Sequence, residues 1–189
     1  MPDTGLLYAT AATTGVYESG LFLWTNPSNI TGNDNAYTES HASLIAGNTH
    51  YIFPTFTHDI SAGYTIDGIV AGIDRYAGND TGNGAYDKVV SLYINNVVVG
   101  DNKAGGAWPL TRTWSSDYGG PTDLWGTSIS PTDTIGLAIS ADFDGSKDDV
   151  FIYNVRMTIY YSTGGGSSGT YNIFSGESAG SYYKIIEAA

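Results

Sequence analysis

Three of the four tryptophans, Trp108, Trp114 and Trp125, fall in one glycine- and threonine-rich stretch from Gly100 to Ser130, in company with Tyr118, Asp117 and Asp123. Rings that stack on the apolar face of a sugar, beside carboxylates that accept its hydroxyl hydrogen bonds, would make this set a surface glycan site. The same rings would serve equally well as a plug beneath a long loop at the end of a β-sandwich. A connection of about thirty residues is long enough to be functional in its own right.

A second set is acidic. Asp142, Asp144, Asp148 and Asp149 crowd into eight residues, Asp142 to Asp149, and calcium takes roughly six to eight oxygen ligands from flexible loops of this kind. The spacing is not that of an EF-hand, and Asp-Gly followed by Asp-Asp also describes a solvated hairpin connection. Asp74 with Asn79 and Asp80 forms a weaker acidic set. The histidines, His41, His50 and His58, stand nine and eight residues apart. They lack the short spacings that build metal sites, so they read as ordinary polar positions and as the first place to look for a transition metal. No cofactor is expected beyond calcium.

Catalytic signatures are missing from the sequence. The four glutamates, Glu18, Glu39, Glu177 and Glu187, form no pair suited to glycoside hydrolysis. The Gly-x-Ser-x-Gly run from Gly165 to Gly169 sits in a glycine tract rather than between a strand and a helix. With no cysteine there is neither a thiol nucleophile nor a disulfide. We expect a non-enzymatic protein. Its net charge of −12 and seven scattered cations argue against nucleic acid as a partner. An acidic exterior favours solubility, though it could also attract divalent cations. No apolar run approaches the length of about 20 residues that a membrane helix requires. Met1 to Tyr8 carries no basic region leading into an apolar stretch, so no secretory signal is read there.

The elements that must position these residues are strands. Twenty-five glycines and fifteen tyrosines are the profile of a turn-rich β protein, and period-two alternation recurs where helical periodicity does not. In Phe151 to Tyr161 the odd positions Phe151, Tyr153, Val155, Met157, Ile159 and Tyr161 are expected on one face, with Asn154, Arg156, Thr158 and Tyr160 on the other. Tyr64 to Arg75 is apolar on both faces, with Gly68 and Gly72 marking bulges or close approach. Lys88 to Val99 carries a turn or bulge at Asn95-Asn96. Thr134 to Ala141 is a fourth strand, and Leu21 to Trp24, Ala42 to Ile45 and Tyr51 to Phe53 are shorter ones. Seven or eight strands suit an all-β, two-sheet antiparallel sandwich, jelly-roll-like, over residues 1–161.

Residues 162–170 are a Gly/Ser linker by composition. Beyond it, residues 171–189 hold Tyr171, Ile173, Phe174, Tyr182, Tyr183, Ile185 and Ile186, too few to build a core. This segment reads as an arm that docks on its own domain or on a neighbouring subunit, where an added strand would satisfy an open sheet edge.

A family resemblance overlies this pattern. Asp123 to Gly126, Thr132 to Ser140 and Asp149 to Tyr161 resemble the second half of β-sandwich domains of bacteriophage virion structural proteins. Tyr51 to Pro54 and Tyr64 to Ile69 resemble the first half. The likeness covers about residues 20 to 161 and implies an auxiliary capsid (decoration) or tail-associated component. It further implies a location in the virion after synthesis in the host cytoplasm. The implied partners are other virion proteins and copies of itself. A receptor-facing, carbohydrate-binding fibre part is the alternative.

Overall fold

The computed structural model describes residues 1–16, 20–42, 46–78, 84–115, 117–143 and 149–163. The arm residues Tyr171, Ile173, Phe174, Tyr182, Tyr183, Ile185 and Ile186, and nearly all of the linker, lie outside the described residues. In chain order the elements are β1 (Leu7–Tyr8), β2 (Ala11–Gly15), β3 (Gly20–Phe22), a 3-10 turn at Pro27–Ile30, β4 (Thr38–His41), β5 (Gly47–Thr49) and β6 (Tyr51–Phe56). They continue with β7 (Tyr64–Gly78), β8 (Ala85–Ile94), β9 (Val97–Val99), β10 (Thr113–Trp114), β11 (Tyr118–Gly120), β12 (Ile135–Phe143) and β13 (Asp149–Thr163). Among the described residues no helix is long and apolar enough to cross a membrane.

The fold is an all-β sandwich of two sheets. In the first, β13 pairs along its length with β7, takes β1 and β4 on its other edge, and β7 takes β10 and β11. In the second, β12 lies between β8 and the pair β5 and β6, with β2 outside β6 and β9 outside β8. From β6 onward the chain alternates between the sheets, from β6 to β7 to β8, then to β10 and β11, β12 and β13, which is the jelly-roll habit. Pairing is antiparallel except between β3 and β5, which run parallel.

The inward faces of β7, β12 and β13 form one apolar cluster. Ile69, Ile73, Leu137, Ile139, Ile152, Val155 and Ile159 are sealed from solvent within it. β12 is covered on both faces and so reads as a nearly continuous apolar run. Its one buried hydroxyl, Ser140, donates to the Thr49 carbonyl at 2.8 Å. Asn95 and Asn96 have φ of 50° and 68°, the left-handed pair that a two-residue hairpin between twisted strands requires.

β13 departs from strict alternation. A register shift between Ile152 and Asn154 buries Val150, Ile152, Asn154, Val155 and Met157. Phe151 and Tyr153 therefore turn outward instead of joining Val155 in the core, and this corrects the simple odd-even reading. The bulge adds one residue, and one extra residue exchanges the two faces. The strand also extends through Ser162 and Thr163, two residues past the domain boundary at 161 that composition implies.

Gly68 and Gly72 are sites of close approach, as their positions inside a strand imply. A methyl group on Gly68 would lie 2.4 Å from the backbone carbonyl of Pro121, while one on Gly72 would meet the Arg156 side chain. We expect Gly68→Ala to lift the loop around Pro121 off β7 and to destabilise the fold by about 1–3 kcal/mol. Gly63→Ala, in open space, should change stability by less than about 0.5 kcal/mol. Urea unfolding of both variants provides the comparison.

Candidate functional site

The Asp87 side chain on β8 is completely buried, and a carboxylate can sit there only if its oxygens are fully engaged. Oδ1 accepts from Trp108 Nε1 at 2.9 Å and from the Arg75 guanidinium. Oδ2 accepts from the Tyr118 hydroxyl at 2.8 Å and from the Gly105 amide at 3.3 Å. Arg75 projects inward from β7 and lies over the rings of Trp108 and Tyr118, 4.8 and 5.8 Å from their centroids. Its Nε–H finds no acceptor among the described residues. Burial, reinforced by the Asp87 charge, pushes the Tyr118 phenol far above its ordinary value, so it remains a hydrogen-bond donor.

Through Arg75 and Tyr118 this cluster underlies a groove of about 470 Å³ between the β10–β11 edge and the loop around Gly105, with Trp114, Ser115, Asp117 and Lys103 on its walls. The loop is pinned by Lys103 N–H to the Val90 carbonyl and by Trp108 N–H to the Ala85 carbonyl, both at 2.8 Å. The nearby charges are matched internally. Lys103 reaches Asp123 at 3.0 Å and Asp101 at 3.3 Å, and Arg156 lies 3.5 Å from Asp117. Hydrogen bonding to Asp123 raises the Lys103 pKa.

A second candidate surface covers the outer face of the first sheet. Tyr76 stacks on Phe151 with centroids 4.5 Å apart and planes 8° apart. Tyr37 meets Phe151 and Tyr153 at 5.4 and 5.3 Å. Arg112 lies 3.9 Å over the Tyr153 ring. It is aimed by two bonds to Asp74 Oδ2, at 2.8 and 2.6 Å, and one to Asn35 at 2.8 Å. Buried Asn154 donates to the same Asp74 oxygen at 3.2 Å and to the Asp34 carbonyl at 3.3 Å, joining the loop before β4 to the sheet. Sequence reading missed this patch because the bulge in β13 creates it.

The six residues of the glycan set part company. Trp108 and Trp125 are 1% and 0% exposed, so neither can stack on a sugar. Both act as the plug, with Trp125 Nε1 donating to the Ile69 carbonyl at 3.0 Å. Tyr118 is also buried and committed to Asp87. Trp114 and Asp117 remain at the groove with Tyr118, although Arg156 lies 4.2 Å over one face of Trp114. Asp123 is engaged by Lys103 and by the Trp125 amide at 2.7 Å.

Of the calcium set, Asp144 and Asp148 lie outside the described residues. Asp142 stands 3.8 Å from Lys88, and Asp149 hydrogen-bonds His41. Among the described residues no three histidine or acidic side chains gather as a metal site. Asp74 is occupied by Arg112 and Asn154, and Asn79 and Asp80 lie outside the described residues. The histidines stand in different settings. His41 Nδ1 is 2.6 Å from Asp149 and Nε2 is 3.4 Å from Glu39, the His50 carbonyl accepts from Trp24 Nε1 at 2.8 Å, and buried His58 Nδ1 has no partner among the described residues.

No family model matches the chain and no curated protein matches it. Among solved structures, a Podospora anserina GH26-CBM35 β-(1,4)-mannanase overlaps with 13% identity and a TM-score of 0.29. The overlap covers 81% of this chain and 28% of that one. The chain thus spans little more than a quarter of the mannanase, and a likeness this distant carries no functional argument.

Two outcomes follow from the electrostatics. Asp87→Asn leaves the Arg75 charge buried without its counterion and should cost about 3–5 kcal/mol in urea unfolding. The hydrogen bond to Asp149, partly opposed by burial and assisted by the Asp149 and Glu39 charges, raises the His41 pKa. Its stabilisation is therefore complete below the unfolded value of about 6.5 and is lost as pH climbs through the higher folded value. The melting-temperature gap between the parent and His41→Gln should be widest in acid and close at alkaline pH.

Proposed function

We propose that the chain is a non-enzymatic structural component of a bacteriophage particle, an auxiliary capsid or tail-associated protein that docks on copies of itself and on neighbouring virion proteins. The observation that carries the docking part is the state of the rings on the outer face of the first sheet. Tyr76 and Phe151 cover one another's faces, and Arg112 covers Tyr153. Each of these contacts takes one ring face and holds the rings together as a packed aromatic patch. What they offer outward is ring edges, phenol hydroxyls and a guanidinium held on a rigid sheet. Tyrosine and arginine gathered in this way are the residues that dominate the centres of protein–protein interfaces.

The particle part rests on the sequence resemblance, whose segments supply β6, β7, β12 and β13, the strands that build both sheets. The apolar side chains of residues 171–189 would extend the contact on a neighbour. Sedimentation velocity on the full chain, on Tyr37→Ser/Tyr76→Ser, and on a chain ending at Thr163 tests the reading. The full chain should self-associate. The double variant should stay folded and associate about thirtyfold more weakly, as expected when an interface centre worth ~2 kcal/mol is lost, and the shortened chain should also lose association. A full chain that stays monomeric, or variants that assemble as the parent does, would overturn it.

A further inference from the structure

The groove above Asp87 takes no part in the docking face, and its chemistry points to a ligand of its own. We propose that it binds a neutral, hydroxyl-rich ligand, a saccharide of one or two rings. Its volume of about 470 Å³ lies within the range of roughly 300–1,000 Å³ typical of small-molecule sites. The floor is rigid before any ligand arrives, because Asp87 ties Arg75, Trp108, Tyr118 and the Gly105 amide into one buried network. An apolar cluster of similar volume would hold the sheets together at least as well, so the network is better explained by what it orients than by the stability it adds.

Charge selects the class. Arg75, Lys103 and Arg156 are met by Asp87, Asp101, Asp117 and Asp123, and three cations against four carboxylates leave no positive excess for a phosphate or a carboxylate ligand. The wall groups match hydroxyls instead. Ser115 Oγ accepts from the Ile73 amide at 3.0 Å and also bonds the Tyr118 hydroxyl, which fixes its place on the wall. Thr113 donates to the Thr111 carbonyl at 3.0 Å and keeps lone pairs to accept. The Asp117 side chain is 58% exposed, and among the described residues its ion-pair contact is a long one to Arg156. It can take two hydroxyl hydrogen bonds side by side, while Trp114 supplies apolar surface on the same wall.

Two-dimensional NMR of the full chain, titrated separately with lactose, maltose, cellobiose and inorganic phosphate, provides the test. At least one of the three sugars should shift the Gly105 and Gly106 amides and the Trp114 indole signal, and phosphate should leave them in place. Asp117→Asn combined with Ser115→Ala should weaken that binding about tenfold or more without unfolding the chain. Tyr37→Ser/Tyr76→Ser should bind the sugar as the parent does, so this result stands or falls apart from assembly. Silence of the groove signals toward all three sugars would overturn the proposal. So would a stronger response to phosphate, unchanged binding by the groove variant, or loss of binding in the docking-face variant.

Discussion

The long antiparallel ladder between β7 and β13 is the constraint on which the rest of this molecule depends. Each strand has fifteen residues, and a pleated strand must send alternate side chains to opposite faces. One face of the ladder therefore closes over β12 through Ile69, Ile73, Val155 and Ile159. The other is left to carry Asp74, Tyr76, Phe151, Tyr153 and Arg156. Core and outer surface are two sides of a single pairing, so neither can shift register without the other.

The Asp87 network sits at the margin of that ladder, where Arg75 takes an inward position that an aliphatic side chain would otherwise occupy. Once a guanidinium points into the sandwich, a carboxylate, two aromatic rings and a backbone amide must surround it. They come from three segments, the carboxylate from β8, Trp108 and the Gly105 amide from the loop before β10, and Tyr118 from β11. The network adds to the backbone bonds that tie the connection to β7 and β8, and together they make about thirty residues into a well-defined wall.

Much of the fold was legible in the sequence. The four strong strands lie close to where alternation puts them, and Asn95-Asn96 makes the turn that two adjacent asparagines favour. β1, β2, β5, β10 and β11 were not legible, because two to five residues pair only when longer neighbours offer a template, and their composition does not set them apart from loops. The aromatic face could not be read either, since the bulge after Ile152 depends on tertiary pairing and reverses the faces that strict alternation assigns. At the groove, residue types pointed to Trp114, Asp117 and Tyr118. Types alone could not separate exposed tryptophan from buried, and they gave no hint of Arg75 or Asp87, whose partners are distant in sequence.

The loop that follows β9 also governs how sheets of different molecules can meet. Along the outer margin of β7, Ala77 N–H is taken by the Pro109 carbonyl and Ile69 N–H by the Asp123 carbonyl. The Ile73 carbonyl accepts from the Ser115 amide while its N–H donates to Ser115 Oγ, and the Ile69 carbonyl receives the Trp125 indole. A margin occupied by the two short strands β10 and β11 and by irregular chain between and around them offers no long repeating row of donors and acceptors for a foreign strand to copy. Lateral addition of a foreign strand is thereby hindered along that margin of β7.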